Sequence, residues 1–491
     1  MVHQSSPQQP ANVDSILTTH SASAIGQAIT NGRLTSVQAT KWFLTRIDKF
    51  NAGPSGLNCV RSISPIAIQE AMKADAEIAS GFIRGPLHGV PYLLKDNVFT
   101  ADGCVASAGC KALAEFVPPY EATIVSRLRE AGTILLGKTN LTEFADFVSD
   151  TMPAEFSSAG GVVRNPLGHR YERGQGSSVG SASAVAARFC AFAIGTETQN
   201  SIQSPALHSF VVGFKPTVGR VSRHGIVPLV PSQDSPGALT LTVKDAELVF
   251  DIIAGPDMRD SMTLINFTND FPVPTSLNGL RIGVPRRFIA NNVITGNNLA
   301  LFEATLVALE KSGAVIIDPC DLPSADELAE VRSCVFRAEF KESLNSMLQD
   351  LKPCGMTSMQ DIIQWNRLHS AAIPYGQSLL IASDATEGLL TPNYLDDRRR
   401  DIFLSRTAGI DAALRAGNVS MLIAPMSAAA KCTGKAGAPV VAIPVGSDED
   451  GCPFGVTIFS SQGADRALLS AATLIERVIP QRIEPAIIRF S

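Results

Sequence analysis

The sequence predicts an α/β protein: a single large α/β/α domain over residues 15–491, with a mixed central sheet covered by helices. Three observations carry this. Short apolar runs that read as buried strands alternate with amphipathic helical stretches along most of the 491 residues. With 45% hydrophobic and 18% charged residues, the chain has the composition of a globular protein with an ample core. Neither an internal repeat nor a linker long enough to split the chain is present.

Taken in order, residues 1–14 are polar and rich in Gln and Pro, and read as a disordered tail. Residues 21–50 carry two helical patterns. The second opens at Thr35-Ser36 and places Val37, Phe43, Leu44, Ile47 and Phe50 along one face. A further helix covers about 65–80. "GPLHGVPYLLKDNVF" then reads as a turn followed by a short buried strand that ends at a charged pair. Residues 121–133 form an amphipathic helix followed by the strand "ILLGKTN", and 151–177 are loop-like in composition. A small-residue helix is expected over 180–192, then a stretch of several turns, then a helix from Val243 to Ala254. Residues 297–420 are mainly helical and more charged, an outer layer or a cap over the site. "SMLIAPMS", "APVVAIPVG" and "FGVTIFSS" restore buried strands, and "ADRALLSAATLIERVI" closes the pattern as a helix.

Charge and composition exclude several function classes. A net charge of −5 with scattered Lys and Arg gives no basic stripe for nucleic acid, and 2 Trp with 5 Tyr offer little base stacking. The nine cysteines form no CxxC pair and are odd in number, which fits reduced thiols and a cytoplasmic location. The seven histidines show no metal-ligand spacing, so neither a metal nor a cofactor is expected. No run approaches the length of a membrane span and the N-terminus lacks an apolar signal region, so no membrane association is expected.

Three elements could supply chemistry. Lys95 follows two leucines in a buried-looking strand; burial disfavours the ammonium, and a neutral lysine can act as a general base. Ser177 and Ser178 sit in "ERGQGSSVGSASA", a Gly-containing loop at a helix start that lacks the lysine of a phosphate-binding loop. Ser201 lies in "AIGTETQNSIQSPALHSF", polar and turn-prone between two buried runs. Each is ambiguous by itself.

Their order and spacing are not. A lysine at a strand end, a double serine in a Gly-rich loop and a serine 24 residues past the first of that pair resemble the amidase signature family. The similarity continues through "GFKPTVGRVSRHGIVPLVPSQDSPGALTLTV" to the "APVVAIPVG" and "FGVTIFSS" strands and spans roughly 15–480. "GTET" and "SQDSPG" resemble the peptide-amidase-like branch most. The resemblance implies a Ser–cisSer–Lys triad with Ser201 as nucleophile, Ser177 as bridge after a cis peptide bond, and neutral Lys95 as base. It implies an oxyanion hole from backbone N–H groups of Thr198, Gln199, Asn200 and Ser201, and a substrate contact at Ala145. The implied reaction is hydrolysis of the C–N bond of a small neutral carboxamide through an acyl-enzyme, with carbamates or esters as further candidates, by a monomer or homodimer.

The sequence departs from the family pattern at Gln175 and Val179, which replace loop glycines, and at Gln199, Asn200 and Gln203 around the nucleophile. A tight turn at Asn200 would need φ > 0, where asparagine is the best non-glycine occupant. Gln203 stands where the family has arginine, which argues against an anionic substrate beside Ser201. Two other readings of the same residues stay open: an amidotransferase A-type subunit, and a catalytically impaired binding protein in the amidase fold.

Overall fold

The structure, a computed structural model, describes residues 13–267, 271–291, 297–448 and 451–479. An 11-stranded sheet organises the chain. From one edge it runs Val60–Ile63, Ile134–Thr139, Pro91–Lys95, Phe192–Glu197, Ser235–Thr240 and Val212–Lys215. It continues through Val440–Ser447, Pro453–Phe459, Met421–Pro425 and Arg281–Gly283 to Val315–Ile317 at the other edge. Pro91–Lys95 is parallel to both neighbours, whereas the centre of the sheet is antiparallel. The sheet is mixed, and the class is α/β.

Pro91–Lys95, Ile134–Thr139, Phe192–Glu197, Ser235–Thr240 and Pro453–Phe459 are buried at every position. Burial on both faces requires a cover on each, which explains why these strands read as unbroken apolar or small-residue runs. Helices Val179–Ala186, Val243–Ile253 and Asp465–Glu476 provide part of that cover.

Several boundaries differ from the sequence expectation. Val13–Thr19 is helical and Asp14 accepts a hydrogen bond from Trp42 Nε1 at 2.6 Å, so the ordered chain begins before residue 15. The rest of the expected tail, 1–12, lies outside the described residues. The second helix is Ser36–Asn51, opened by a capping box between Thr35 and Gln38. The small-residue helix ends at Ala186, because Arg188 turns to a φ of 57° and frees the chain to enter the Phe192–Glu197 strand. The expected loop 151–177 holds a small hairpin, Phe156–Ser157 with Gly161–Val162.

Residues 297–420 are mainly helical, with helices at Asn297–Lys311, Ala325–Glu330, Val335–Leu351, Met359–Leu368, Ser378–Asp384, Pro392–Ile402 and Asp411–Gly417. One strand, Val315–Ile317, extends the sheet. Phe340, Leu344 and Leu348 of this segment share a second apolar cluster with Phe99, Phe144, Val227 and Leu229. That cluster sets the helices beside the loops that carry the site.

Candidate active site

Two strand ends and one loop converge. Parallel pairing aligns Tyr92, Leu93 and Leu94 with Phe192, Ala193 and Ile194, so Lys95 emerges next to the end of the Phe192–Glu197 strand. Ser177 and Ser178 arrive from the loop before helix Val179–Ala186. Gly195 makes this approach feasible, since a Cβ there would sit 2.7 Å from Ser178 Oγ. The Gly176–Ser177 peptide bond is cis, as the resemblance implies.

Lys95 is wholly buried. Its Nζ lies 2.7 Å from Ser177 Oγ, 3.0 Å from Ser178 Oγ and 3.0 Å from Thr196 Oγ1, and 3.2 Å from the Thr196 carbonyl. Removal from water lowers its pKa to about 7, against the opposing pull of Asp234, Glu197 and Asp146. The loops are tied by backbone too: Ser178 N–H donates to Ser201 O at 3.1 Å, and Thr142 N–H to Ser177 O at 3.1 Å. Among the described residues Ser201 Oγ makes no hydrogen bond.

The segment leading to Ser201 divides sharply. The N–H groups of Thr198, Gln199, Asn200 and Ser201 have no acceptor among the described residues. The next two, of Ile202 and Gln203, both donate to Glu197 Oε2, at 2.7 and 2.9 Å. Thr198 and Ser201 are buried and Gln199 and Asn200 half-buried, and a row of unpaired N–H groups ahead of a serine can receive negative charge.

The departures from the family pattern now have structural accounts. Asn200 does not adopt positive φ, so the expected left-handed turn is absent. Its side chain instead donates from Nδ2 to Gly174 O, binding the Ser201 turn to the Ser177 loop. Gln203 turns inward, its Nε2 donating to Glu197 Oε1 at 2.7 Å and to Gln199 O at 3.1 Å. Gln175 closes its own loop by accepting from Glu172 N–H at 2.8 Å. Val179 simply begins the helix.

Thr196, which holds Lys95, and Thr198 also line a cavity of about 220 Å³. Asn97, Ala145, Thr196 and Thr198 form one wall, and the Ile226–Leu229 stretch with Pro231 and Asp234 another. Ala145, the expected substrate contact, is on this wall and belongs to a left-handed run with Phe144 and Asp146, at φ values of 43, 55 and 74°. Thr196, Asn97, Asp146 and Asp234 escaped the sequence reading as site residues. Thr196 anchors Lys95 and accepts from Asn97 Nδ2 at 3.0 Å. Burial pushes the Asp146 carboxyl up to about 7. Their signal was present in "KDN", "GTET", "FAD" and "SQDSPG", but only position in space reveals it. No group of three or more His, Cys, Asp or Glu among the described residues could hold a metal ion. No described helix is long and apolar enough to cross a membrane.

Comparisons with known proteins identify the family. The Amidase family model matches residues 38–469. A putative amidase of Schizosaccharomyces pombe, C869.01, is 32% identical over 93% of this chain and 84% of its own. The A-type subunit of the glutamyl-tRNA(Gln) amidotransferase of Bdellovibrio bacteriovorus is 30% identical over 94% of this chain and 97% of that one. Native peptide amidase from Stenotrophomonas maltophilia superposes with a TM-score of 0.87 at 35% identity, covering 95% of this chain and 98% of that one. The chain belongs to the amidase signature family and is an amide-hydrolysing enzyme.

Proposed function

We propose that the protein hydrolyses neutral carboxamides through an acyl-enzyme on Ser201, with Ser177 as proton bridge and Lys95 as base. The observation that carries this is the 2.7 Å separation of Lys95 Nζ from Ser177 Oγ in a site where the lysine is wholly buried. With a pKa near 7 the amine is substantially neutral at neutral pH, and its lone pair accepts the Ser177 proton. Ser177 takes the proton of Ser201, whose Oγ attacks the substrate carbonyl carbon. The bridge requires Ser201 Oγ to rotate toward Ser177 when substrate arrives, a tightening typical of catalytic hydrogen bonds.

The tetrahedral oxyanion lies against the open N–H groups of Thr198, Gln199, Asn200 and Ser201. Collapse breaks the C–N bond while the proton returns through Ser177 to the departing nitrogen. Water then attacks the ester, its proton passing through Ser177 to Lys95; collapse of the second tetrahedral intermediate breaks the ester C–O bond and returns that proton through Ser177 to Ser201 Oγ as the carboxylic acid leaves. Ile226, Val227, Pro228, Leu229 and Pro231 give the 220 Å³ cavity one apolar side that can take an uncharged group of the substrate, while Arg223, His224, Asp234, Arg259 and Asp260 line it as well. Likeness to a peptide amidase makes peptide amides the first substrates to test, followed by aryl amides, carbamates and esters.

The test is labelling with a serine-directed phosphonate, located by peptide mapping, alongside turnover of an amide panel. Label at Ser201, and loss of both label and turnover in Ser201→Ala, is the expected result. Near wild-type hydrolysis by that variant rejects the assignment.

A further inference from the structure

The turn that carries the open N–H groups is held from one side by a single carboxylate. Antiparallel pairing sets Glu197 opposite Ser235, which places the preceding Asp234 across from the following Thr198. Asp234 Oδ1 accepts the hydroxyl of Thr198. Its Oδ2 accepts the N–H groups of Leu229 and Val230, each at 2.9 Å. Both oxygens are therefore committed, one to the first residue of the open row and the other to the cavity wall.

That wall is fixed in turn. Ser232 donates to Glu339 of helix Val335–Leu351, by its hydroxyl to Oε1 at 2.6 Å and by its N–H to Oε2 at 2.8 Å. Tyr394 OH donates to the same Glu339 Oε1 at 2.9 Å. The chain of contacts runs from the outer helices through the Leu229–Asp234 loop to Thr198 and ends at the turn before Ser201. We infer that Asp234 is a positioning residue for the reaction: through Thr198 it sets the line of the open N–H groups. This rests on the proposed roles of Ser201 and Lys95.

Simple packing would not need this arrangement. A hydrophobic residue could fill the space, whereas a carboxylate must be desolvated beside a site that develops negative charge. Its use is geometric and electrostatic. Three carboxylates, Asp234, Glu197 and Asp146, oppose the lowering of the Lys95 pKa, and Asp234 has the largest influence of the three. Burial pushes the Asp234 carboxyl up, while its bonds from Thr198, Leu229 and Val230 and the charge of Arg223 pull it back down; ionised, it favours the Lys95 ammonium, so Asp234→Asn lets Lys95 become neutral at lower pH.

Asp234→Asn and Thr198→Val separate these roles, because asparagine keeps shape and an acceptor for the loop N–H groups, while valine removes only the hydroxyl. Small misplacements of catalytic groups cost about 10²-fold, so kcat should fall by roughly 10–100-fold in either variant with KM nearly unchanged. The double variant should be little worse than either single one, since both break the same link. The acid limb of the kcat/KM profile should move to lower pH in Asp234→Asn and stay in place in Thr198→Val. Wild-type kcat with an unmoved limb in a folded Asp234→Asn protein overturns the inference, as does a loss confined to KM or to melting temperature. Phosphonate labelling of the wild type keeps the two readings apart. If Ser201 is unlabelled in an active enzyme, the underlying mechanism and this inference both fall; if it is labelled and Asp234→Asn is unaffected, only the inference falls.

Discussion

The ends of two strands in the same sheet, Pro91–Lys95 and Val212–Lys215, each bury a lysine completely. Both amines are pushed down by removal from water, Lys95 to about 7 and Lys215 to about 8. Their surroundings differ. Lys95 lies among the hydroxyls of Ser177, Ser178 and Thr196, one of which adjoins the nucleophile turn. Lys215 faces the carboxylates of Glu197 and Asp465, and its hydrogen bond goes to the Pro216 carbonyl at 3.4 Å. Burial tunes both lysines, but only one has a partner that can hand it a proton. What separates Lys95, the proposed base, from Lys215 is the neighbouring acceptor and donor chemistry, not the depressed pKa.

The contrast is open to direct attack. The largest expected effect is that of Lys95→Met, which should lower kcat by about 10²–10⁴, the usual contribution of a general base. Lys215→Met should leave kcat close to wild type. Equal losses in both, measured on one amide, would erase the distinction between them.

Ser177→Ala should come next, because it removes the bridge while leaving Lys95 and Ser201 in place. Its loss belongs in the same range of about 10²–10⁴, and should appear in kcat rather than KM.

The pH profile sharpens the comparison further. The active form needs neutral Lys95, so kcat/KM should rise as pH increases through about 7 and level off above it. The sign follows from the lowered pKa of a base that must lose its proton. Lys215→Met should keep this limb where it is. A limb that moves in Lys215→Met would mean that Glu197, which acts on both lysines, links them.

A smaller effect is expected at Asn200, whose amide ties the Ser201 turn to Gly174. Because its backbone is not left-handed, glycine relieves nothing there. Asn200→Gly and Asn200→Ala should both lose about one hydrogen bond of positioning, roughly 1 kcal/mol, read as a several-fold fall in kcat. A more active glycine variant would restore the left-handed turn that the sequence suggested. The smallest change in activity, with a visible change in stability, belongs to Lys215→Met. It leaves Glu197 buried without its cation and should destabilise the fold by about 1–3 kcal/mol in denaturant unfolding.

Much of this was legible in the chain. The order Lys95, Ser177, Ser201 with its 24-residue serine spacing named the three groups that the fold brings together. The strand ending at Lys95 was readable as a short apolar run, the helix after Ser178 as a run of small residues, and the helices of 297–420 from their local periodicity and caps. Less legible were Phe192–Glu197, Val212–Lys215 and Ser235–Thr240, which read as turns or as unnamed buried runs. They are buried on both faces and rich in Gly, Pro, Ser and Thr, so neither alternation nor β-branched content marks them.

By itself, then, the sequence determined the family, the α/β class and the candidate nucleophile, bridge and base, because those depend on residue types at fixed spacings. Tertiary structure decided everything that depends on neighbours far apart in the chain. It set Asp234 against Thr198, turned Gln203 toward Glu197, bound Asn200 to Gly174 and gave Lys95 and Lys215 different company. The physical reason is the same in each case. A carboxylate, an amide or an ammonium takes its pKa and its role from the dielectric and the hydrogen-bond partners around it, and no local window of residues contains them.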